Sequence, residues 1–312
     1  MNVRVTGQTQ TNNAIAYMRA RGADLAKYQD QVSSGLRVTR PSDDPAAFPA
    51  LSRAKAASQR LAAYSQNVDD STAVLNASVS TLQDVNDLLV KARQLAQQGA
   101  DASTGSDPTA NESLAVEVDG LIARALGDAN ARPDGKALYA GTAIGTTPFR
   151  VATTDAQGRP ATIAYDGSAD RARALTGPAQ TADTRYTGGE VFQKPGADAF
   201  QALIALRDDL RNTALVGPAR SQALNQRLGD LDAARNAVGE VTAEQSSNLA
   251  TLESISSLTG EVKLTTDERI GQLEGTDYAE AVVKLKEQEA ALQAIYATTA
   301  KLLQPGLLDF IR

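Results

Sequence analysis

The chain has 312 residues, of which 42% are hydrophobic but only 4% aromatic, and it contains no Trp, Cys or His. A core can form, but it should consist of Ala, Leu and Val at seams between helices. The absence of Cys and His excludes disulfides, thiol nucleophiles and the usual zinc ligands. A net charge of −6 without a run of Lys or Arg argues against nucleic acid as a partner. We expect no metal site and no cofactor.

The start of the sequence lacks the apolar run of a secretory signal, and no stretch approaches the roughly 18 apolar residues that cross a bilayer. We therefore expect no membrane contact. If the protein leaves the cell, another export route must carry it.

Residues 1 to about 10 are polar, and a first helix is predicted from there to Ser33, with Gly35 suited to its C-terminal end. Apolar residues at helical spacing mark one face of this helix: Ile15, Met18, Leu25, Tyr28 and Val32. No local partner covers that face, so another helix must do so.

A second, longer helix is predicted from Ala46 to about Gln98. Asp43 and Asp44 precede Pro45, which predicts an N-terminal cap followed by Pro at the first helical position. The same two carboxylates would also suit a metal or an acid–base pair, but capping is far more common for this pattern. The helix carries a stripe with an unbroken alternation of three and four residues over roughly 80 Å, which includes Val68, Leu75, Leu82 and Leu89.

A break at Gly99 leads to a shorter helix, whose apolar face is marked by Leu114, Val118, Leu121, Ile122 and Ala125. Residues 136–197 then lose helical periodicity and gain Gly, Thr and Pro around the β-like runs KALYAG, PFRVAT, ATIAYDG and ADTRYTGGEVF. The glycine-containing runs lack the spacing of a phosphate-binding loop and indicate turns.

Helical periodicity resumes at Ala199 and continues to about Ile255, and Gly275 interrupts it before a final helix capped by Thr276 or Asp277. An apolar stripe marks that helix: Tyr278, Val282, Leu285, Leu292, Ile295, Tyr296, Leu302 and Leu303. The two terminal stripes are expected to pair with each other.

The predicted fold is mainly α, a long antiparallel helical bundle or coiled-coil rod formed by the two halves of the chain, with a small β-rich insert in mid-chain. Three domains are expected. Residues 1–40 and 275–312 would form a terminal coiled-coil assembly domain, residues 41–135 and 198–274 a helical rod, and residues 136–197 an outer insert.

Two segments resemble the conserved ends of the bacterial flagellin superfamily. The first begins QVSSGLRVTRPSDDPAAF, and the second begins TDYAEAVVKLKEQEAALQAIY. Within that superfamily, RVTRPSDDPAAF, ALYAGTAIGTTPF and a compact insert ending in TGGEVF are more similar to the hook-filament junction branch than to the filament subunits, which usually carry an SAKDDAAG-like version of the first motif.

The resemblance implies an extracellular structural subunit of the bacterial flagellum, exported through the flagellar type III apparatus without a cleaved signal peptide. It implies assembly as a ring of copies, with the first hook-associated protein on the hook side, flagellin on the filament side, and a dedicated export chaperone. The terminal stripes would then serve subunit assembly. Four apolar residues near the end of the sequence would contact the chaperone or an axial neighbour: Leu307, Leu308, Phe310 and Ile311.

Two other functions fit part of the pattern. A flagellin that builds the filament itself would share every helical feature. An enzyme carried on the insert is disfavoured, because its acidic residues show no ligand-like spacing: Asp155, Asp166, Asp170 and Glu190. We expect no catalytic site.

Overall fold

The computed structural model describes residues 7–101 and 107–303, and it confirms a mainly α protein with a small insert of short antiparallel strands. Seven α-helices are found in these residues: α1 Gly7–Ser34, α2 Phe48–Ala100, α3 Pro108–Ala129, α4 Gly188–Val191, α5 Ala199–Arg211, α6 Gly217–Glu274 and α7 Tyr278–Leu303. The strands are β1 Phe149–Thr154, β2 Pro160–Tyr165, β3 Ala172–Gly177, β4 Gln180–Arg185, β5 Gln193–Lys194 and β6 Ala197–Asp198. No helix in the described ranges combines the length and hydropathy needed to cross a membrane.

The chain separates into two compact units, one formed by residues 1–60 and 262–312 and the other by residues 61–261. We call these the terminal unit and the central unit. The helices α2 and α6 contribute residues to both units. The three-domain division given above, with boundaries at 40, 135, 197 and 274, stays a prediction.

The end of α1 follows the predicted chemistry. Gly35 has a φ of 72°, a left-handed conformation that glycine adopts without the steric cost a side chain would bring. Its amide donates to the carbonyl of Gln31 at 2.9 Å, which satisfies a carbonyl of the last helical turn.

The start of α2 lies two residues later than predicted. Pro45, expected at the first helical position, lies instead in a turn that precedes Phe48. Asp44 caps this turn, because its Oδ1 accepts from the amides of Ala46 at 3.2 Å and Ala47 at 2.9 Å. Asp43 has a separate role, since its Oδ2 accepts from the amides of Thr39 and Arg40. The two carboxylates therefore organise the connection between α1 and α2.

The large hydrophobic core lies in the central unit. The predicted stripe of α2 supplies Val68, Leu75, Leu82 and Leu89, all buried. Helices α3, α5 and α6 complete this core, with α3 packed on α5. The buried residues of α3 include the predicted marks of the shorter helix, Leu114, Val118, Leu121, Ile122 and Ala125.

The insert consists of three antiparallel strand pairs, β1–β2, β3–β4 and β5–β6. The predicted β-like run KALYAG forms no strand and contributes only an isolated bridge between Ala140 and Thr187. Five of the chain's few aromatic rings gather here with centroids 5.1–5.7 Å apart, a cluster that composition did not predict: Tyr139, Phe149, Tyr165, Phe192 and Phe200. Edge-to-face and tilted ring contacts let a small insert hold its shape with few residues.

Candidate assembly surface

The terminal unit is organised by an antiparallel pair of helices, α1 and α7. Its two ends are marked by contacts between residues far apart in sequence. Near the junction with α6, the carbonyl of Gly35 accepts from the amide of Thr276 at 3.0 Å, and the amide of Arg37 donates to the carbonyl of Glu274 at 2.6 Å. Further along the pair, Nη1 of Arg21 donates to the side chain of Gln288 at 3.0 Å. The predicted pairing of the first and last helices is thus seen.

The start of α7 is capped as predicted by Asp277, whose Oδ1 accepts from the amides of Ala279 at 2.9 Å and Glu280 at 3.1 Å. The covered face of α7 follows a regular alternation of four and three residues: Ala281, Leu285, Gln288, Leu292, Ile295 and Thr299. Ala281 and Thr299 are buried, and the other four are half-buried. This is the spacing of a coiled-coil seam.

The predicted stripe residues fall into three groups. Those that the pair covers in part are Met18, Leu25, Tyr28, Val32, Val282, Leu285, Leu292 and Ile295. Those that remain exposed are Ile15, Tyr278 and Tyr296. The last group cannot be placed: Leu302 and Leu303 belong to α7 but their side chains are not described, and Leu307, Leu308, Phe310 and Ile311 lie outside the described residues.

Two further apolar residues of this surface were not in the predicted stripes. Tyr17 is 65% exposed and Val283 is 56% exposed. Tyr17 is adjacent to the half-buried Met18, and Val283 is adjacent to the half-buried Val282. Each therefore lies beside the predicted stripe of its helix and not on it. In the sequence they appear only as apolar residues next to a stripe position. They can be recognised as part of the surface once the residues of the α1–α7 seam are known.

The terminal unit has little core of its own. Among its described side chains, the buried apolar ones are Val38, Leu51, Ala54 and Ala281. The exposed large apolar ones are Ile15, Tyr17, Val262, Leu264, Tyr278, Val283 and Tyr296. A monomeric soluble domain usually buries such residues, and a collection of them on paired helices is typical of an interaction surface.

Polar contacts within the terminal unit join the start of α2 to the end of α6. The carboxylate of Asp267 accepts from Oγ of Ser58 and from Nζ of Lys263, each at 2.5 Å, and these bonds hold the pKa of Asp267 below its usual value. Lys55 forms an ion pair with Glu274. These contacts set the position of the two long helices without adding apolar burial.

A shallow groove of about 390 Å³ lies on the same two helices. Its floor is made of the small residues Ala50, Ala54 and Ala57, and the side chains of Arg53 and Arg269 stand beside it. Small residues on a helix allow close approach of another helix, so the groove extends the candidate surface beyond the α1–α7 pair.

Three of the four acidic residues singled out in the insert form ion pairs, whereas the carboxylate of Asp170 forms none within the described residues. Asp155 bonds to Arg159, Asp166 to Arg150, and Glu190 to Arg171. Within residues 7–101 and 107–303, no three acidic side chains gather in a way that suits a metal ion.

Comparison with known proteins finds similarity to flagellar proteins. A family model described as the bacterial flagellin N-terminal helical region matches residues 5–143. Over these residues the chain is similar to bacterial flagellins. The match includes α1, α2, α3 and the connection organised by Asp43 and Asp44.

Among flagellin-like proteins, the chain is similar over most of its length to flagellar hook-associated protein 3 of Escherichia coli strain K12. The two are 26% identical over 295 residues, which cover 88% of this chain and 89% of the relative. The similarity to a flagellin of Clostridium tyrobutyricum, at 29% identity, is limited to 100 residues and covers 32% of this chain and 26% of that protein.

The fold is shared with solved structures. A structure described as a putative flagellar hook-associated protein from Vibrio parahaemolyticus superposes with a TM-score of 0.64 at 20% sequence identity. The superposition covers 75% of this chain and all of that one. At this identity the likeness shows the fold alone.

Proposed function

We propose that this flagellin-like protein is the structural subunit of the junction between the flagellar hook and the filament. The observation that carries the proposal is the extent of similarity: hook-associated protein 3 matches 88% of this chain, whereas the flagellin match covers 32% of it. In this role the protein is extracellular and not an enzyme, and it adapts the hook-associated zone to the flagellin filament.

The proposed partners follow the order of the junction. Copies of this chain form a ring, the first hook-associated protein lies on the hook side, and flagellin lies on the filament side. The protein reaches this position through the flagellar type III apparatus without a cleaved signal peptide.

The terminal unit supplies the mechanism of assembly. Its seam residues are only half-buried and its tyrosines are exposed, so the free chain gains little from pairing α1 with α7. Packing against neighbours would complete that burial, and each additional Leu, Ile or Val fully covered contributes about 1.5–3 kcal/mol. We infer that the terminal helices become firmly ordered on assembly.

Deletion of the gene tests the proposal directly. We expect cells with hooks but no filaments by electron microscopy, with flagellin shed into the medium, and we expect the restored gene to return filaments. Filaments that persist, or that disappear without shed flagellin, would favour the alternative that this chain is itself the filament subunit.

A second proposal concerns the export chaperone. The apolar residues Leu307, Leu308, Phe310 and Ile311 would favour aggregation unless a chaperone covers them before export. Deleting residues 305–312 should abolish chaperone binding and reduce solubility in the cytosol. A deleted chain that stays soluble and still binds the chaperone would contradict this assignment.

A further inference from the structure

The central unit has a cleft that the assembly role of the terminal helices leaves unexplained. It lies between residues 67–74 of α2, the loop 133–144 and the hairpin β3–β4, and its volume is about 540 Å³. We call it the Arg185 cleft, after the residue of β4 that lines it. A volume of this size lies within the usual range of ligand-binding clefts.

Arg185 is a partly buried cation without a partner. Its guanidinium makes no hydrogen bond or ion pair with any residue of the described ranges, and its Nε is fully buried. Burial lowers the pKa of Arg185, and no nearby carboxylate offsets that loss of solvation. A desolvated charge without a counter-ion is costly, so the group is suited to receive one.

Other arginines of the central unit show how unusual this is. Arg171 contacts Asp183, Glu190 and Glu244, and Arg211 contacts Glu112 and Asp119. Both are shielded from solvent and both are matched by carboxylates of the same unit. The Arg185 guanidinium is also partly shielded from solvent, but no carboxylate of the described residues pairs with it.

The remaining charges of the cleft do not supply the missing partner. Lys136 forms no ion pair within the described residues, and Arg173 is already bound to Asp183 at 2.7 Å. Asp70 and Asp134 also line the cleft, but neither lies within 4.0 Å of a charged nitrogen of Arg185 or Lys136. Lys136 is exposed to solvent, so among the charged residues that line the cleft Arg185 is the one that combines burial with the lack of a polar partner.

We propose that the Arg185 cleft receives a carboxylate side chain of a second copy of this chain. A guanidinium fork matches a carboxylate with two parallel hydrogen bonds, and Lys136 adds a second positive charge. The inference rests on the proposed ring of copies, because identical subunits in a ring meet through different surfaces, a cleft of one facing another part of the next.

The charge of the chain favours a second copy as the source. The sequence has 37 acidic and 31 basic residues, so the surface of each copy offers carboxylates in excess. Charge complementarity between such a carboxylate and the Arg185 guanidinium would help to fix the register of two neighbouring copies.

A photo-cross-linking experiment tests the proposal in assembled flagella. A benzoylphenylalanine is placed at position 73, where Ala73 is an exposed part of the cleft wall, in a deletion strain complemented with this chain. We expect irradiation to join position 73 to an Asp- or Glu-containing segment of a second copy, identified by mass spectrometry.

Arg185→Gln supplies the decisive comparison. It should lower the cross-link yield roughly tenfold, the effect of losing a charge-assisted contact. Arg150→Gln is the matched control, because Arg150 is exposed and already paired with Asp166, and its cross-link yield should not change. Arg185→Lys keeps the positive charge but lacks the two parallel donors of the guanidinium, so it should give an intermediate cross-link yield. It replaces the glutamine variant in the comparison if that variant fails to accumulate.

Three results would overturn the inference: a cross-link to a different protein, no cross-link in intact flagella, or a yield that Arg185→Gln leaves unchanged. None of these depends on the outcome of the gene deletion. If deletion leaves filaments intact, the proposed function fails, whereas filaments lost on deletion together with an unchanged cross-link yield reject the Arg185 cleft alone.

Discussion

At the scale of single residues, the central unit contains a buried arginine whose guanidinium is fully paired, Arg207, and a partly buried arginine whose guanidinium is unpaired within the described residues, Arg185. Arg207 is 1% exposed, yet its guanidinium is satisfied by Asp208 at 2.6 Å and by the carbonyl of Pro160 at 2.6 Å. Asp119 lies 3.5 Å from the same group. Because Pro160 begins β2, this arginine of α5 ties the insert to the helical core. Arg185 has the opposite environment, because its partly buried guanidinium has no partner within the described residues and can accept an external one.

Arg207→Met should destabilise the central unit by about 2–4 kcal/mol, because it leaves the carbonyl of Pro160 without its buried partner and removes the charge-assisted bonds to Asp208. Urea unfolding followed by circular dichroism measures this loss. Arg150→Met removes an exposed pair and should change stability by no more than about 0.5 kcal/mol. Equal effects of the two substitutions would show that burial of Arg207 does not set its contribution.

Asp44 is a second residue whose environment decides its chemistry. Hydrogen bonds from the amide of Ala47 and from the side chain of Arg37 lower the pKa of this carboxyl below its usual value of 3.8. A lowered pKa in the folded state means that the charged form stabilises the fold. That stabilisation is complete above the pKa of the unfolded chain and is lost as the pH falls through the folded value.

A titration of the Asp44 carboxyl by NMR should therefore give a midpoint below 3.8. Asp44→Asn keeps an oxygen for the cap but removes this charge, so below pH 3.8 the order of residues 39–47 should depend less on pH than in the wild type, where Asp43 and Asp44 both titrate. A midpoint at or above the usual value would contradict the hydrogen bonds assigned to Asp44.

At the scale of elements, the α1–α7 pair has the pattern of a coiled coil but not the burial of a finished one. The alternation of four and three residues along α7 is regular, yet Leu285, Leu292 and Ile295 are each only half-covered. Two helices have too few neighbours to cover a seam on all sides, whereas a bundle of several does. In the free chain the α1–α7 pair therefore leaves part of its apolar seam uncovered.

Leu292→Ser should weaken this pair by about 1 kcal/mol, part of the value of a fully buried leucine. Hydrogen exchange would report it as a roughly fivefold loss of amide protection in the facing helix, over residues 18–32. Gln293→Ser changes the neighbouring exposed position and should leave α1 unaffected. If both variants left α1 equally protected, the seam would not be what holds α1 in place.

At the scale of the whole molecule, the two units differ in how much apolar surface they bury. The contiguous core runs from Val68 to Leu252 and belongs to the central unit, while the terminal unit keeps most of its large apolar side chains half-covered or exposed. Local stability follows such burial. We therefore expect the central unit of the free protein to resist local unfolding and the terminal unit to unfold locally more often.

Trypsin acting on the dilute protein should cut at Arg19 and Lys286, in α1 and α7, at least about tenfold faster than at Lys91 and Arg93 in α2. Mass spectrometry of the early fragments identifies the sites. In assembled flagella the α1 and α7 sites should become protected. Resistance of both terminal helices in the dilute chain would contradict the coupling of their order to assembly.

Much of the fold was predictable from local pattern. The stripe of α2, the marks of α3, the glycine after α1 and the aspartate before α7 each depend on residues near one another in sequence, and the structure has each of them. The motifs RVTRPSDDPAAF and ALYAGTAIGTTPF carried the family resemblance in the same local way. Helical spacing and cap chemistry act over a few residues, so a single sequence suffices to read them.

Other features were decided by tertiary structure. The aromatic cluster joins rings from Tyr139 to Phe200, and no local pattern shows that these few rings meet. The sequence places Tyr278 and Val282 on one stripe, but packing against α1 leaves the tyrosine exposed and half-covers the valine. Whether Arg185 has a partner depends equally on groups distant in sequence. Spacing determined which residues share a face of a helix, and only the folded chain determined what each face meets, because burial and charge pairing arise between segments far apart.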